Sequence, residues 1–467
     1  MLVPIRRQSL RRVAACAFAA LGIGPLASSQ ECGDSHVGVR PLDDLRTHTY
    51  LGLEGGLYPG GSNAIPAAHA DAGRSVAARV VPLDASGAPS PIGTIGVVSL
   101  GFSLTRQMFR GFLQLAAADA SISSSVTFVN AAMPGQFVED LAEPDSAYWT
   151  MLVPQALDDA GLDARQIEVV WLMDGDRDRE LPFPDQVYAL RDSFISIVQT
   201  VKGNFPNAKL CYLSSLPYMG YLVSSPAVEP YYFEQGFAQR LLIEDQIDGD
   251  PDLEWDGDSG PVVAPWLAWG PYLWCDGDLP RSDGFTWTCD DVEADGTHPS
   301  AEGEAKVGGL LLHFWKSDPT ATPWFLESGA GASGHPADVE LVGDGTPGSL
   351  GEPLISVSRL PTVPTDTSVD LQGVNVVANG SGLFLFGYDL LPNGGLPFAN
   401  GTIYVDYQIM LPVAFDAGGA GRYSFGALPD DEDLRNLVVY AQLVTFDHRA
   451  PAGRFALSSA ITIVLGD

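Results

Sequence analysis

Three residue types in this chain can make a nucleophile: a serine between an apolar run and a helical pattern, and an acid and an imidazole spaced three apart. Residues 95–100 are apolar and end in Gly101-Phe102-Ser103-Leu104-Thr105, after which a helical pattern begins. Far downstream comes Asp295-Gly296-Thr297-His298-Pro299-Ser300. An Asp and a His three residues apart fit on one turn and can present both side chains to one point. His298 would then take the proton of Ser103, and Asp295 would orient the imidazole and stabilise it once charged. A serine at such a junction alone reads as a helix cap, and Asp-x-x-His alone is weak. Their order, at opposite ends of one stretch of chain, favours acyl transfer.

Elements must carry these residues to one place. From residue 93 onward, short β-branched runs alternate with longer helical patterns, the signature of parallel strands joined by crossover helices. Strands are expected at 95–100, 126–131, 168–173 and 208–216, each almost continuously apolar, as strands covered on both faces should be. Helices are expected at 105–118, 185–204 and 300–316, with Pro299 and Ser300 opening the last. A three-layer α/β domain with a parallel sheet follows, and ligands of such sheets bind at the carboxyl edge of the strands, where Ser103 falls. Residues 30–92 show no sustained period and read as an extension packed on this domain, 93–324. A Gly, Ser, Pro and Asp-rich stretch, 325–352, reads as a linker. From 353 to 467 the period becomes two, with turn residues between short segments, so an all-β sandwich is expected as an accessory domain. Every candidate for chemistry precedes it.

Gly101-Phe102-Ser103, Asn130-Ala131-Ala132-Met133-Pro134-Gly135 and the Asp295-to-His298 string together resemble the first, second and last blocks of the SGNH (GDSL-type) hydrolases. The resemblance covers about residues 93–316. It implies a flavodoxin-like sheet of five parallel strands, hydrolysis of esters of small alcohols, lipids or acetylated sugars, and no metal or organic cofactor. By the same resemblance Gly135 would offer a backbone N–H to the oxyanion, with Asn130 beside it in that block. Two departures stand out: Phe102 where Asp is usual, and Asp174-Gly175-Asp176 where the third block has Gly-x-Asn. An ionised Asp176 in the place of that Asn would oppose a developing negative charge, and one lost donor typically costs about 10² to 10³ in rate. The reading is an exported serine esterase acting on a small-molecule or polysaccharide ester, O-acetyl groups included. The alternative is a non-catalytic, carbohydrate-binding protein that keeps the fold and has lost turnover at Asp176.

Composition narrows the partners. With 58 acidic against 25 basic residues, the formal charge of -33 repels phosphate backbones and anionic lipid, so nucleic acid is excluded as a partner. Residues 1–29 place four arginines before an apolar run and then small residues, the form of a secretory signal peptide, with a loose twin-arginine string at Arg6-Arg7. The apolar run is too short to span a bilayer, so no membrane insertion is expected and the protein should be secreted, periplasmic or at the cell surface. In an oxidising compartment Cys275 and Cys289, close in sequence, are expected to form a disulfide, while Cys211 is either an inert core thiol or the partner of Cys32. The acidic residues from Asp248 to Asp258 lack the Gly and Glu of a calcium loop and read as solvated. Trp266, Trp269, Tyr272, Trp274 and Trp287 are either a platform for sugar rings or the packing of a long insertion. His69, His313 and His335 read as structural or surface residues.

Overall fold

The computed structural model describes residues 36–177, 181–222, 228–327, 337–451 and 453–466. The leader, Cys32 and His335 lie outside them, and the described residues all fall in the unit Cys32–Asp467.

Five strands form a parallel sheet: β1 (Ile95–Gly101), β2 (Val126–Asn130), β3 (Ile167–Met173), β4 (Leu210–Leu213) and β5 (Trp266–Trp269). Their order is β2-β1-β3-β4-β5, one of the common doubly wound orders. β1, β3, β4 and β5 are buried along their whole length, which explains their unbroken apolar runs; the edge strand β2 is only half covered. The fifth strand is hidden in the sequence because its four residues lie between Pro265 and Gly270-Pro271, which read as turns, and its two tryptophans read as part of an aromatic cluster. Trp266 faces α1 (Ala67–Ala77), in the stretch that showed no period. A Cβ on Gly73 would stand 2.3 Å from the Trp266 ring, and His69 stacks on that ring while bonding the Leu267 carbonyl at 2.8 Å. Trp266, Trp269, Tyr272, Trp274 and Trp287 are all buried, so they pack the interior and offer no face to a sugar.

The crossover helices are α2 (Ser103–Ala116), α3 (Val138–Ala142), α4 (Val153–Ala160), α5 (Asp185–Asn204) and α6 (Tyr231–Ile247), and α7 (Ala301–Ser317) follows the last strand. Ser300 caps α7 as its spacing suggested, its Oγ accepting from Gly303 N at 3.3 Å. α6 gives no amphipathic signal because it is buried nearly all round. The decisive contact is between α2 and α7. A Cβ on Gly111 would lie 2.1 Å from the Glu304 carbonyl oxygen and one on Gly308 2.5 Å from Gly111 C, so the two backbones meet through glycines. Arg110 clamps the crossing, its Nε donating to Glu304 Oε2 at 2.9 Å.

Beyond Phe325 the chain builds a separate, antiparallel, sandwich-like region. One sheet orders as β10-β9-β12-β13-β6 and the other as β11-β8-β7. The strands are β6 (Asp338–Val342), β7 (Leu354–Val357), β8 (Ser368–Val374), β9 (Ser381–Leu390), β10 (Val405–Ala414), β11 (Gly421–Ala427), β12 (Val438–Phe446) and β13 (Phe455–Val464). β6 lies in the stretch expected to be a linker and pairs with β13. Leu371, Phe384, Leu443 and Ile461 fill the space between the sheets. The two regions touch closely: Arg40 pairs with Glu352 at 2.8 Å, and a Cβ on Gly284 would stand 2.0 Å from the Val357 carbonyl oxygen.

The expected Cys275–Cys289 bridge does not form. Cys275 is a free, buried thiol whose Sγ accepts from Trp287 N at 3.1 Å, and Cys289 is disulfide-bonded, not to Cys275. Proximity in sequence misled here because Cys275 is wholly buried, its thiol bonded to the Gly277 carbonyl and the Trp287 N–H. Cys211 is likewise a free core thiol.

Candidate active site

β1 delivers Ser103 by a turn that only glycine can make. Gly101 has φ +140°, and a Cβ there would lie 2.1 Å from the Met173 carbonyl oxygen. Its N–H donates to the Tyr148 hydroxyl at 3.2 Å, and its carbonyl accepts from Met133 N at 2.8 Å. Thr105, fully buried, donates to the Met173 carbonyl, which ties the first turn of α2 to the end of β3. The ends of β1, β2 and β3 are thereby laced together at the carboxyl edge of the sheet. Ser103 is the first residue of α2, where backbone N–H groups have no partner within the helix.

Asp295 and His298 occupy one turn ahead of α7. Asp295 Oδ1 accepts from Thr297 N at 2.9 Å and His298 N at 3.0 Å, while Oδ2 lies 2.7 Å from His298 Nδ1. His298 Nε2 lies 3.0 Å from Ser103 Oγ. A carboxylate only accepts, so Nδ1 carries the proton and Nε2 of the neutral ring is left to accept from the serine hydroxyl. Partial burial works to raise the Asp295 pKa, but the His298 ring and the two amides outweigh it and hold the carboxyl below its usual range. The turn is backed by the protein. Gly296 has φ +71°, and a Cβ on it would collide with the Tyr221 carbonyl oxygen.

The remaining candidates behave differently. Asn130, the last residue of β2, accepts from Ser99 Oγ at 3.1 Å and donates to the Arg106 carbonyl at 2.8 Å. Its amide therefore braces α2. Gly135 stands in the turn between β2 and α3 with φ +76°, its carbonyl accepting from Arg177 Nη2 at 3.3 Å. Asp176 does not stand as a bare charge. Its Oδ2 accepts from the Tyr231 hydroxyl at 2.6 Å and its Oδ1 from Gln235 Nε2 at 2.8 Å. Tyr231 and Gln235 are four apart on one face of α6, and nothing in the sequence pointed to them. Arg177 closes the segment, bonding Asp140 at 2.7 Å and lying 4.9 Å over the Phe137 ring.

Beneath this segment lies Asp174, fully buried. Burial pushes its carboxyl well above the usual range against a single amide bond from Gly175, and Glu139, Asp140 and Asp176 push the same way. Its Oδ2 has no partner. Among the described residues, no cluster of three or more His, Cys, Asp or Glu side chains is arranged to hold a metal, and no helix is long and apolar enough to cross a membrane.

No protein-family model matches the chain, and no curated protein matches it. Among solved structures it is similar to the periplasmic domain of a lipopolysaccharide acetyltransferase from Salmonella ser. Paratyphi A. That likeness has 12% identity and a TM-score of 0.25, over 47% of this chain and 82% of that one.

Proposed function

We propose that the protein is an exported serine hydrolase of SGNH type, with a flavodoxin-like domain, that cleaves an ester of a small alcohol or of a polysaccharide, O-acetyl groups included. One observation carries this reading: the continuous chain from Asp295 through His298 to Ser103, at 2.7 and 3.0 Å, with the serine at a helix N-terminus on the carboxyl edge of a parallel sheet. Ser103 Oγ attacks the acyl carbon as His298 Nε2 takes its proton. Asp295 holds the ring in the required tautomer and stabilises the imidazolium. The negative oxygen that forms is met by the Ser103 backbone N–H, favoured by the positive end of α2, and by the Gly135 N–H. His298 then returns the proton to the leaving alcohol. Water repeats the cycle on the acyl-enzyme.

Incubation with a fluorophosphonate should label Ser103 in the wild type and leave Ser103→Ala unlabelled. Release of nitrophenol from nitrophenyl acetate should fall about 10³-fold or more in Ser103→Ala. A folded wild type that neither takes up the label nor turns over the ester would overturn the reading in favour of a binding protein.

A further inference from the structure

Pro134 and Gly135, at the tip of the turn that follows β2, are exposed, and a Cβ built on Gly135 would meet nothing within 4 Å, so packing does not fix the tip. The turn is anchored on either side of it. Met133 N donates to the Gly101 carbonyl at 2.8 Å, and Val138 N donates to the Gly175 carbonyl at 3.2 Å. Between these anchors the Gly135 N–H meets no acceptor among the described residues, which leaves it for an incoming negative oxygen. Two guanidinium groups grip the turn from opposite sides. Arg106, three residues beyond Ser103 on α2, donates through Nη1 to the Ala132 carbonyl at 2.9 Å. Arg177, on the segment leaving β3, donates through Nη2 to the Gly135 carbonyl at 3.3 Å. Arg177 is itself held. Asp140 Oδ2 accepts from its Nη2 at 2.7 Å, Glu139 Oε1 accepts from its backbone N at 3.0 Å, and the Phe137 ring beneath it meets the ring of Phe102, the residue before Ser103, at 5.5 Å. In a chain with 58 acidic and 25 basic residues, two cations thus bond neutral carbonyl oxygens of one short turn.

We propose that Arg106 and Arg177 are positioning residues that hold the Gly135 peptide where the oxyanion formed at Ser103 needs it. The inference rests on the ester hydrolysis proposed for Ser103 and goes beyond it by naming what sets the second oxyanion donor in place. Exposed bonds of this kind add little to the stability of a fold, whereas a misplacement of about 1 Å in a catalytic group can cost about 100-fold in rate. Their loss should therefore appear in turnover far more than in melting. Arginine suits the task at residue 177, since a rigid guanidinium reaches the Gly135 carbonyl and the Asp140 carboxylate together, and lysine offers a flexible point charge in its place.

Steady-state hydrolysis of nitrophenyl acetate by the full chain tests this. Arg177→Ala should lower kcat at least 10-fold and Arg106→Ala at least fivefold, with KM within twofold of the wild type. Arg177→Lys, which keeps the charge and a donor, should turn over at least three times faster than Arg177→Ala. The melting temperature of each variant should stay within 3 °C of the wild type. The pH at half-maximal kcat/KM, which reports the proton on His298, should not move, because the chain from Asp295 to Ser103 is untouched. Unchanged kcat in both alanine variants of an active protein would overturn the inference and leave the hydrolase reading standing. So would a loss of rate accompanied by a larger fall in melting temperature or by a displaced pH limb, since the arginines would then support the fold or the histidine. A wild type that neither takes up the fluorophosphonate nor cleaves the ester would remove both readings together.

Discussion

At the scale of the residue, the meeting of Ser103, His298 and Asp295 was legible because it follows from residue type and local spacing, and an Asp-x-x-His turn needs no knowledge of the rest of the chain. Asp295→Asn should leave the fold intact and lower turnover of a model ester by about 10² to 10⁴, because an amide no longer enforces the tautomer with a proton on Nδ1. The surroundings of Asp176 were not legible, because Tyr231 and Gln235 reach it from a helix some 55 residues on. Their hydrogen bonds change what a substitution there should do. A bare carboxylate facing the oxyanion would gain rate on conversion to Asn; one bound by a phenol and an amide has no free oxygen to exchange for a donor. Asp176→Asn should therefore change turnover by less than about threefold, and a 10-fold rise would show that the side chain donates into the site. Asp174 should reveal itself through pH. Its raised proton affinity stabilises the fold where the carboxyl is neutral, and that contribution is lost as pH rises through the elevated pKa. Melting temperatures should thus diverge from about pH 4 upward, with Asp174→Asn gaining on the wild type; parallel curves would rule the effect out.

At the scale of the element, strands β1 to β4 and helices α2, α5 and α7 were readable from period and caps, since each has one buried face or two. What period cannot show is where a helix is buried all round, as α6 is, or where a short strand lies between Pro and Gly-Pro turn signals, as β5 does between Pro265 and Gly270-Pro271. Nor does it show why α2 and α7 lie so close. Gly111 and Gly308 let the backbones touch, and the helix that begins at Ser103 is thereby fixed against the helix that follows His298. Gly308→Val should force the pair apart, lower the melting temperature and separate Ser103 from His298. Turnover should fall at least 10-fold in protein that circular dichroism shows to be folded. Normal activity in folded Gly308→Val would mean that the crossing does not set the serine–histidine distance.

At the scale of the whole molecule, the charge of -33 acts on every element together. Self-repulsion favours the expanded chain, and salt screens it within about 10 Å at 0.1 M. The melting temperature should rise by several degrees between 10 mM and 0.5 M sodium chloride, and a flat or falling curve would show that the acidic surface is already neutralised by its own ion pairs. Net charge was plain in the composition, whereas the contact of the sandwich-like region on residues 40 and 284 was not, because loop sequences carry no record of what they rest on. One feature of the site reaches across the same scale. Asp295 and His298 are neighbours on a single turn, while Ser103 is 195 residues away from its histidine. Two of the three groups sit within one turn, joined by its own local hydrogen bonds, and can find each other in a barely ordered chain. The third arrives only when the first strand and the last helix of the α/β region have closed on one another. If Ser103 is the nucleophile proposed above, the rate at which it becomes reactive to a fluorophosphonate during refolding should serve as a clock for the final long-range step of assembly, one that spectroscopic probes of local helix formation would run ahead of.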